Sequence, residues 1–264
     1  MKKHLKTITA SLLALAAFST VLIAQIPETE APDPEGIIKK AVAKLGGEKY
    51  LAVRSVSSEG KLSIREAERI TSFQSFTDVL IYPDRERTDF VERGNRTVQV
   101  NTGKEGWFFN ELFKTFGPQS DKQLESFGLS LKTHYDYLLR GAWKGNAELK
   151  YAGRRQSTIG KRNDVLRLEF PDELWIEYEF SDESLPMKVV YPTKNADGIE
   201  IKEEYRYAQF ILTDGVLFPF AVDHFTDGAM SFRVNYIEVK FNRSISDDIF
   251  KKPEDPKKIK KLKI

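Results

Sequence analysis

The sequence predicts a mainly β, α+β fold: one long antiparallel meander with a helix before it and a second helix inserted midway. Three observations carry that expectation. Apolar residues follow a two-residue rhythm from Ser55 to about Asn110, and the rhythm resumes from "DVLRLEF" onward. Spacing of three and four takes over before the first of these stretches and again over residues 120–140. Turn signals such as Thr213-Asp214-Gly215 and Thr226-Asp227-Gly228 separate the later runs as hairpins. The chain has 264 residues, is 41% hydrophobic and holds 18 Phe, 10 Tyr and 3 Trp, enough for one large core. It has no cysteine, so packing alone must hold it together.

The elements follow in order. In residues 1–24, Lys2, Lys3 and Lys6 precede an apolar run ending in Leu22-Ile23-Ala24, the layout of a cleaved secretory signal peptide. Leu22 stands where a small residue is preferred, so the alternative is an uncleaved N-terminal membrane anchor. Residues 25–34 are a linker rich in Pro and acid. A helix then starts, with Asp33 as its cap, Pro34 in its first turn and Ile37, Ile38, Ala41, Val42 and Leu45 on one stripe; Gly46-Gly47 stops it. In "SFQSFTDVLIYP", Phe73, Thr77, Val79 and Ile81 share one strand face, and Phe76, Leu80 and Tyr82 the other. Both faces of such strands need cover. Over residues 120–140, Leu124, Phe127, Leu131, Tyr135 and Leu138 form the apolar stripe of an amphipathic helix, with Gly128 as its weak point. In the last strand the apolar parity changes between Phe232, Val234, Tyr236 and Ile237, Val239, Phe241, which predicts a β-bulge near Tyr236. Residues 251–264 carry seven Lys against Glu254 and Asp255. Residues 254–264 are therefore expected to be a basic disordered tail, with weak contact to an anionic membrane surface as its functional reading.

Reaction chemistry is not legible. His134 and His224 are not spaced to hold a metal, and no H-E-x-x-H, G-x-S-x-G or phosphate-binding glycine pattern occurs. The chain reads as a non-enzyme without cofactor or metal. An acidic body with its cations gathered at one end also argues against a nucleic-acid partner.

The order of elements, the segment "AVAKLGGEKYLAVRSVSSEGKL" at residues 41–62, and the terminal set Asn242, Ile245, Asp247-Asp248, Phe250 and Pro253 resemble the outer-membrane lipoprotein-sorting, LolA-like family. The resemblance covers residues 35–253. It implies a curved antiparallel half-barrel, an incomplete β-barrel whose concave face is covered by the N-terminal and inserted helices around an apolar cavity. It also implies a periplasmic carrier, active in lipoprotein sorting, that holds a lipid or lipoprotein acyl chain and passes it between membranes or envelope protein donors and acceptors. Acyl chains suit an aromatic concavity because each buried methylene contributes about 0.8 kcal/mol without directional bonds. On this reading Trp107, Phe109, Trp175, Tyr178, Tyr205, Tyr207, Phe218 and Phe220, chosen by strand parity, line the cavity. The inserted helix, through Leu124, Phe127, Leu131, Tyr135 and Leu138, is its lid. Carriers of the family also place a basic residue inside; Arg54, Arg65 and Arg87 are unranked candidates. The alternative is the same half-barrel with a filled interior, serving as an envelope interaction or sensing module.

Overall fold

The computed structural model of the protein describes residues 32–67 and 69–264. The expected signal peptide lies outside the described residues, as do residues 25–31 of the linker. Helix α1 (Pro34–Leu45) begins where Asp33 accepts hydrogen bonds from the backbone N–H groups of Glu35 and Gly36. It ends at Gly46, whose position a side chain could not share: a Cβ there would sit 2.5 Å from the carbonyl oxygen of Gly215. A one-turn helix, α2 (Glu48–Leu51), follows. Six strands come next: β1 (Ser55–Glu66), β2 (Arg69–Ile81), β3 (Arg85–Glu92), β4 (Asn95–Thr102), β5 (Gly106–Asn110) and β6 (Thr115–Pro118). Helices α3 (Asp121–Thr133) and α4 (Tyr135–Leu139) lead to seven more: β7 (Glu148–Thr158), β8 (Lys161–Glu169), β9 (Trp175–Phe180), β10 (Pro186–Lys194), β11 (Glu200–Thr213), β12 (Val216–Thr226) and β13 (Ala229–Phe241).

All thirteen strands form one curved antiparallel sheet that does not close into a barrel, in the order β6-β5-β4-β3-β2-β1-β13-β12-β11-β10-β9-β8-β7. The first and last strands meet in the middle, so β6 and β7 are the two free edges. The α3–α4 segment therefore connects one edge to the other across a face of the sheet. Both hairpin turns fall as the sequence predicts, with Asp214-Gly215 and Asp227-Gly228 at positive φ. The predicted bulge is also present: Glu59 pairs with Glu238 and Gly60 with Tyr236, leaving Ile237 as the extra residue. Gly60 is required at that bend, since a Cβ would lie 2.6 Å from the Phe76 ring that crosses over it.

The inserted helix is not the single rod that its stripe predicts. His134 has extended backbone (φ −76°, ψ 142°) and separates α3 from α4. Phe127, Tyr135 and Leu138 are buried, whereas Leu124 and Leu131 remain half-exposed. Asp136 supplies the physical reason, because turning α4 at His134 lets its carboxylate accept from both the Tyr50 and Tyr82 hydroxyls in the interior. A continuous helix would have to leave one of those partners unsatisfied.

There are two apolar cores, on opposite faces of the sheet. The larger joins α1, α2 and α4 to β7–β13 and includes Leu45, Leu138, Leu166, Ile176, Tyr178, Val189 and Tyr207. The smaller lies on the outer face of β2–β5 and comprises Val79, Val98, Val100, Trp107, Phe250 and Ile259. Its cover is the C-terminal segment, which corrects the expectation of a disordered tail at 254–264. Ile259 is only 8% exposed. Leu262 N–H donates to Asp89 (3.1 Å), Arg87 donates to the carbonyls of Ile249 (3.0 Å) and Lys260 (2.7 Å), and Arg96 donates to that of Ile259 (2.9 Å). Trp107 Nε1 donates to the Phe250 carbonyl (2.8 Å). The Lys-rich composition hid the interleaved apolar residues Ile259, Leu262 and Ile264, spaced by three and two, all turned to the sheet while the lysines are exposed.

Candidate functional site

The helix-covered face presents two different walls. From β9 to β13, alternate positions place Tyr178, Tyr191, Tyr205, Tyr207, Phe218, Phe220, His224, Phe232 and Tyr236 on it. Their rings touch in sequence: Phe76 with Tyr236 at 5.7 Å, Tyr236 with Phe218 at 5.2 Å, Phe218 with Phe220 at 6.3 Å, and Tyr205 with His224 at 4.5 Å. Such edge-to-face pairs add to area burial. Under α4 the wall is filled: Tyr135 packs edge-on against Tyr207 at 5.0 Å, and the Tyr178 hydroxyl donates to the Lys132 carbonyl at the end of α3 (2.7 Å). Burial pushes the Tyr178 and Tyr207 hydroxyls far above their ordinary value, so both remain neutral donors. Along β11–β13, by contrast, Tyr205, Phe218, Phe220, Phe232 and Tyr236 are only partly buried although they face inward.

Asp136 pins the filled part. Besides the two tyrosine hydroxyls, it has Arg140 Nε at 3.5 Å and His134 Nδ1 at 3.4 Å. Burial pushes its carboxyl up, but His134, Arg140 and Tyr50 more than offset that and hold it well below the usual carboxylate range. The Arg140 guanidinium stacks 4.7 Å from the Tyr50 ring and 4.2 Å from that of Tyr82, and donates to the carbonyls of Val53 (3.1 Å) and Tyr50 (3.0 Å).

The second wall belongs to β2–β4. Here the helix-covered face carries Asp78, Glu86, Thr88, Gln99 and Asn101 among Phe76, Leu80, Phe90 and Phe108. A cavity of about 440 Å³ separates Glu86, Gln99 and Asn101 from α3, with Phe127 and Ser130 on the helix side. Thr88 Oγ1 donates to Asp78 (2.6 Å). Desolvation pushes Asp78 up to about 7, opposed by the Thr88 hydrogen bond and helped by the Asp89 charge, and pushes Glu86 up to about 8, helped by the Asp78 charge. Among the described residues no group of three or more His, Asp or Glu is placed to hold a metal ion.

Of the residues that the sequence selects for the lining, Tyr178, Tyr205, Tyr207, Phe218 and Phe220 face the helices. Trp107 and Phe109 do not: register with Val100 and Val98 puts them on the outer face, under the C-terminal segment. Trp175 is also outside, pairing with Glu169 and lying 4.6 Å beneath the Arg167 guanidinium. Trp175 and Tyr178 are three apart in one strand and cannot share a face. Arg87 likewise lies outside, in a buried pair with Asp89 (2.8 Å), and Arg54 is exposed. Arg140 is a basic residue that the structure does place in the interior. Its sequence signal, and that of Asp136, was a charge beside an apolar stripe. Asp78 gave a comparable signal, interrupting Phe76, Leu80 and Tyr82 on one strand face.

An open half-barrel of meandering strands, wrapped over helices that bridge its two edges, defines the class to which the architecture belongs. The chain shares that fold with LolA superfamily proteins. A LolA superfamily protein from Nitrosomonas europaea superposes with a TM-score of 0.54 at 15% identity, over 84% of this chain and 99% of that one. A DUF1329 family protein from Desulfovibrio piger gives 0.58 at 12% identity, over 83% and 98%. A domain from Vibrio parahaemolyticus, assigned as an outer membrane lipoprotein-sorting protein, gives 0.53 at 11% identity, over 83% and 97%. No family model matches the sequence, and no curated protein matches it significantly. Among the described residues no helix is long and apolar enough to cross a membrane.

Proposed function

We propose that the protein is an exported, non-enzymatic carrier that holds a lipid or lipoprotein acyl chain against the inner aromatic wall and passes it between envelope partners. One observation carries the reading: Tyr205, Phe218, Phe220, Phe232 and Tyr236 face the helices yet are only partly buried, so some apolar surface is left for a flexible chain to cover. The solved proteins of the same fold support it, one being assigned to lipoprotein sorting. The exposed Lys257, Lys258, Lys260, Lys261 and Lys263 would give the outer face a weak attraction for an anionic leaflet.

The test is titration of delipidated protein with a fluorescent long-chain fatty acid. Saturable binding is expected, weakened about tenfold or more by Phe218→Ser with Phe220→Ser if the fold survives. The burial of Tyr135 and Leu138 of α4 against the sheet favours a second reading, an interaction module with a filled interior. Absence of saturable binding for every chain length would leave that reading in place. Hydrogen exchange over residues 118–145 adds a second readout, because a lid segment changes on loading and a plug does not.

A further inference from the structure

The hollow beneath α3 differs chemically from the aromatic wall: its lining is polar, with Glu86, Gln99, Asn101, Gln119, Lys122 and Gln123 around Phe127. Asn101 is 6% exposed, lines the hollow, and its Oδ1 has no hydrogen-bond partner. Leaving a buried acceptor unmade costs about 1–3 kcal/mol. Glu86 is the direct cross-strand neighbour of Asn101 on the same wall, and Asp78 lies diagonally behind it. From the helix side, Ser126 Oγ donates its hydrogen to the Lys122 carbonyl (2.8 Å) and Ser130 Oγ to the Phe127 carbonyl (2.8 Å). Only the lone pairs of these two hydroxyls are left to face the hollow. The lining also includes Lys122, which is exposed on α3.

The geometry points to this hollow as a binding site for a compact primary ammonium group, with Asn101 Oδ1 and the Glu86 carboxylate accepting its N–H donors and Phe127 closing it from above. A primary ammonium carries three donors on one positive centre, which matches an unpartnered amide oxygen beside a carboxylate. A quaternary ammonium carries none. The volume of about 440 Å³ suits a small polar group rather than an acyl chain of full length. The raised Asp78 and Glu86 carboxyls agree with this assignment, since a bound cation would offset the desolvation that holds them up.

The ammonium could arrive as a lipid headgroup or as a free amine, and the experiment separates them. Calorimetric titrations of the wild-type protein compare lysophosphatidylethanolamine with lysophosphatidylcholine of the same chain length, and free ethanolamine with choline chloride. The ethanolamine form is expected to bind at least tenfold more tightly in one pair or both; preference only in the lipid pair identifies the headgroup as the source. Glu86→Gln, which keeps shape and loses charge, should abolish the preference and leave lysophosphatidylcholine binding unchanged. Equal binding of the two members in both pairs, a preference for the choline forms, or a preference surviving in Glu86→Gln overturns the inference. The site does not depend on the carrier reading: free ethanolamine bound without any fatty acid would sink the carrier and keep the amine site, and fatty acid bound with no amine preference would do the reverse.

Discussion

The strands β7–β13 keep their apolar core inside, against the helices, and present charge outside. Strands β2–β5 reverse this arrangement. On the outer face of the first group Glu177 and Glu179 are buried beneath Arg155, Arg167 and Lys188, whereas on the outer face of the second Val98, Val100 and Trp107 are buried beneath the C-terminal segment. Inside, the contrast runs the other way: Tyr178, Tyr207 and Leu138 fill the first group, and Glu86 and Asn101 face a hollow in the second. The two interior carboxylate sites show what this means energetically. Asp136 has His134, Arg140 and two tyrosine hydroxyls, so its charge is stabilised; Asp78 has Thr88 but also the Asp89 charge nearby, and Glu86 has the Asp78 charge, so their burial is not offset and their charges are resisted. A single sheet can thus hold one region optimised for packing and another kept poorly satisfied, the usual condition of a binding surface.

The contrast breaks most severely at Asp136. Replacing it by Ala would leave Arg140 and the hydroxyls of Tyr50 and Tyr82 buried without their partner, and a loss of about 3–5 kcal/mol is expected in urea denaturation. A loss below about 1 kcal/mol would show that the network is not what orients α4.

Removing residues 254–264 strikes the other core. It uncovers the outer face of β3–β5 and strips contacts from the Arg87–Asp89 pair, so a destabilisation of about 2–4 kcal/mol is expected, with enhanced binding of a hydrophobic dye. An unchanged melting temperature would mean that the segment lies on the sheet without holding it.

The carboxylates sharpen the contrast through pH. Asp78 and Glu86 titrate higher in the folded chain than in the unfolded one, so the native state binds more protons between about pH 4 and pH 8. Stability from this pair is fully present below the unfolded values and is lost as pH rises through about 7 and 8. Groups near the pair include Thr88 from β3 on the same face, Asp89 from β3 acting through the sheet, Tyr236 from β13 and Lys122 from α3. Asp136 has the opposite sign: its stability is present above the usual carboxylate range and is lost as pH falls below it. Because Asp78 and Glu86 retain some solvent contact, a decline of about 1–2 kcal/mol from pH 5 to pH 8.5 is expected in the ligand-free protein. Asp78→Asn with Glu86→Gln should flatten it. A slope that survives the double substitution assigns it to other groups.

Gly128 gives the smallest effect. No atom lies within 4 Å of where its Cβ would be, so Gly128→Ala should stiffen α3 and stabilise the protein by up to about 1 kcal/mol. If α3 moves on loading, the same change should slow ligand exchange; faster exchange would argue against a moving α3.

Local chemistry made much of this legible. Asp33, Pro34 and Gly46 delimit α1 because caps and stops act within a turn of the chain, and Asp214-Gly215 sets its hairpin because two consecutive positive φ angles require such residues. The Ile237 bulge showed as a change of parity. Strand periodicity also revealed that apolar residues occupy both faces of β2 and β5. It could not say which face meets the helices, since alternation is symmetric about the plane of the sheet. That decision came from the closure of β1 on β13 and from the C-terminal segment folding back onto Trp107, contacts between residues more than a hundred positions apart. Trp107, Phe109 and Trp175 fell on the wrong side for that reason, and the break at His134 went unseen because its cause, Asp136 meeting Tyr50 and Tyr82, also lies far off in sequence, 86 and 54 positions away. The sequence by itself determined the strands, the turns and the capped first helix, whose causes lie within a few residues. Which wall is aromatic, which is polar and where the hollow lies were decided by the tertiary structure alone, because burial and partnership are properties of the assembled sheet.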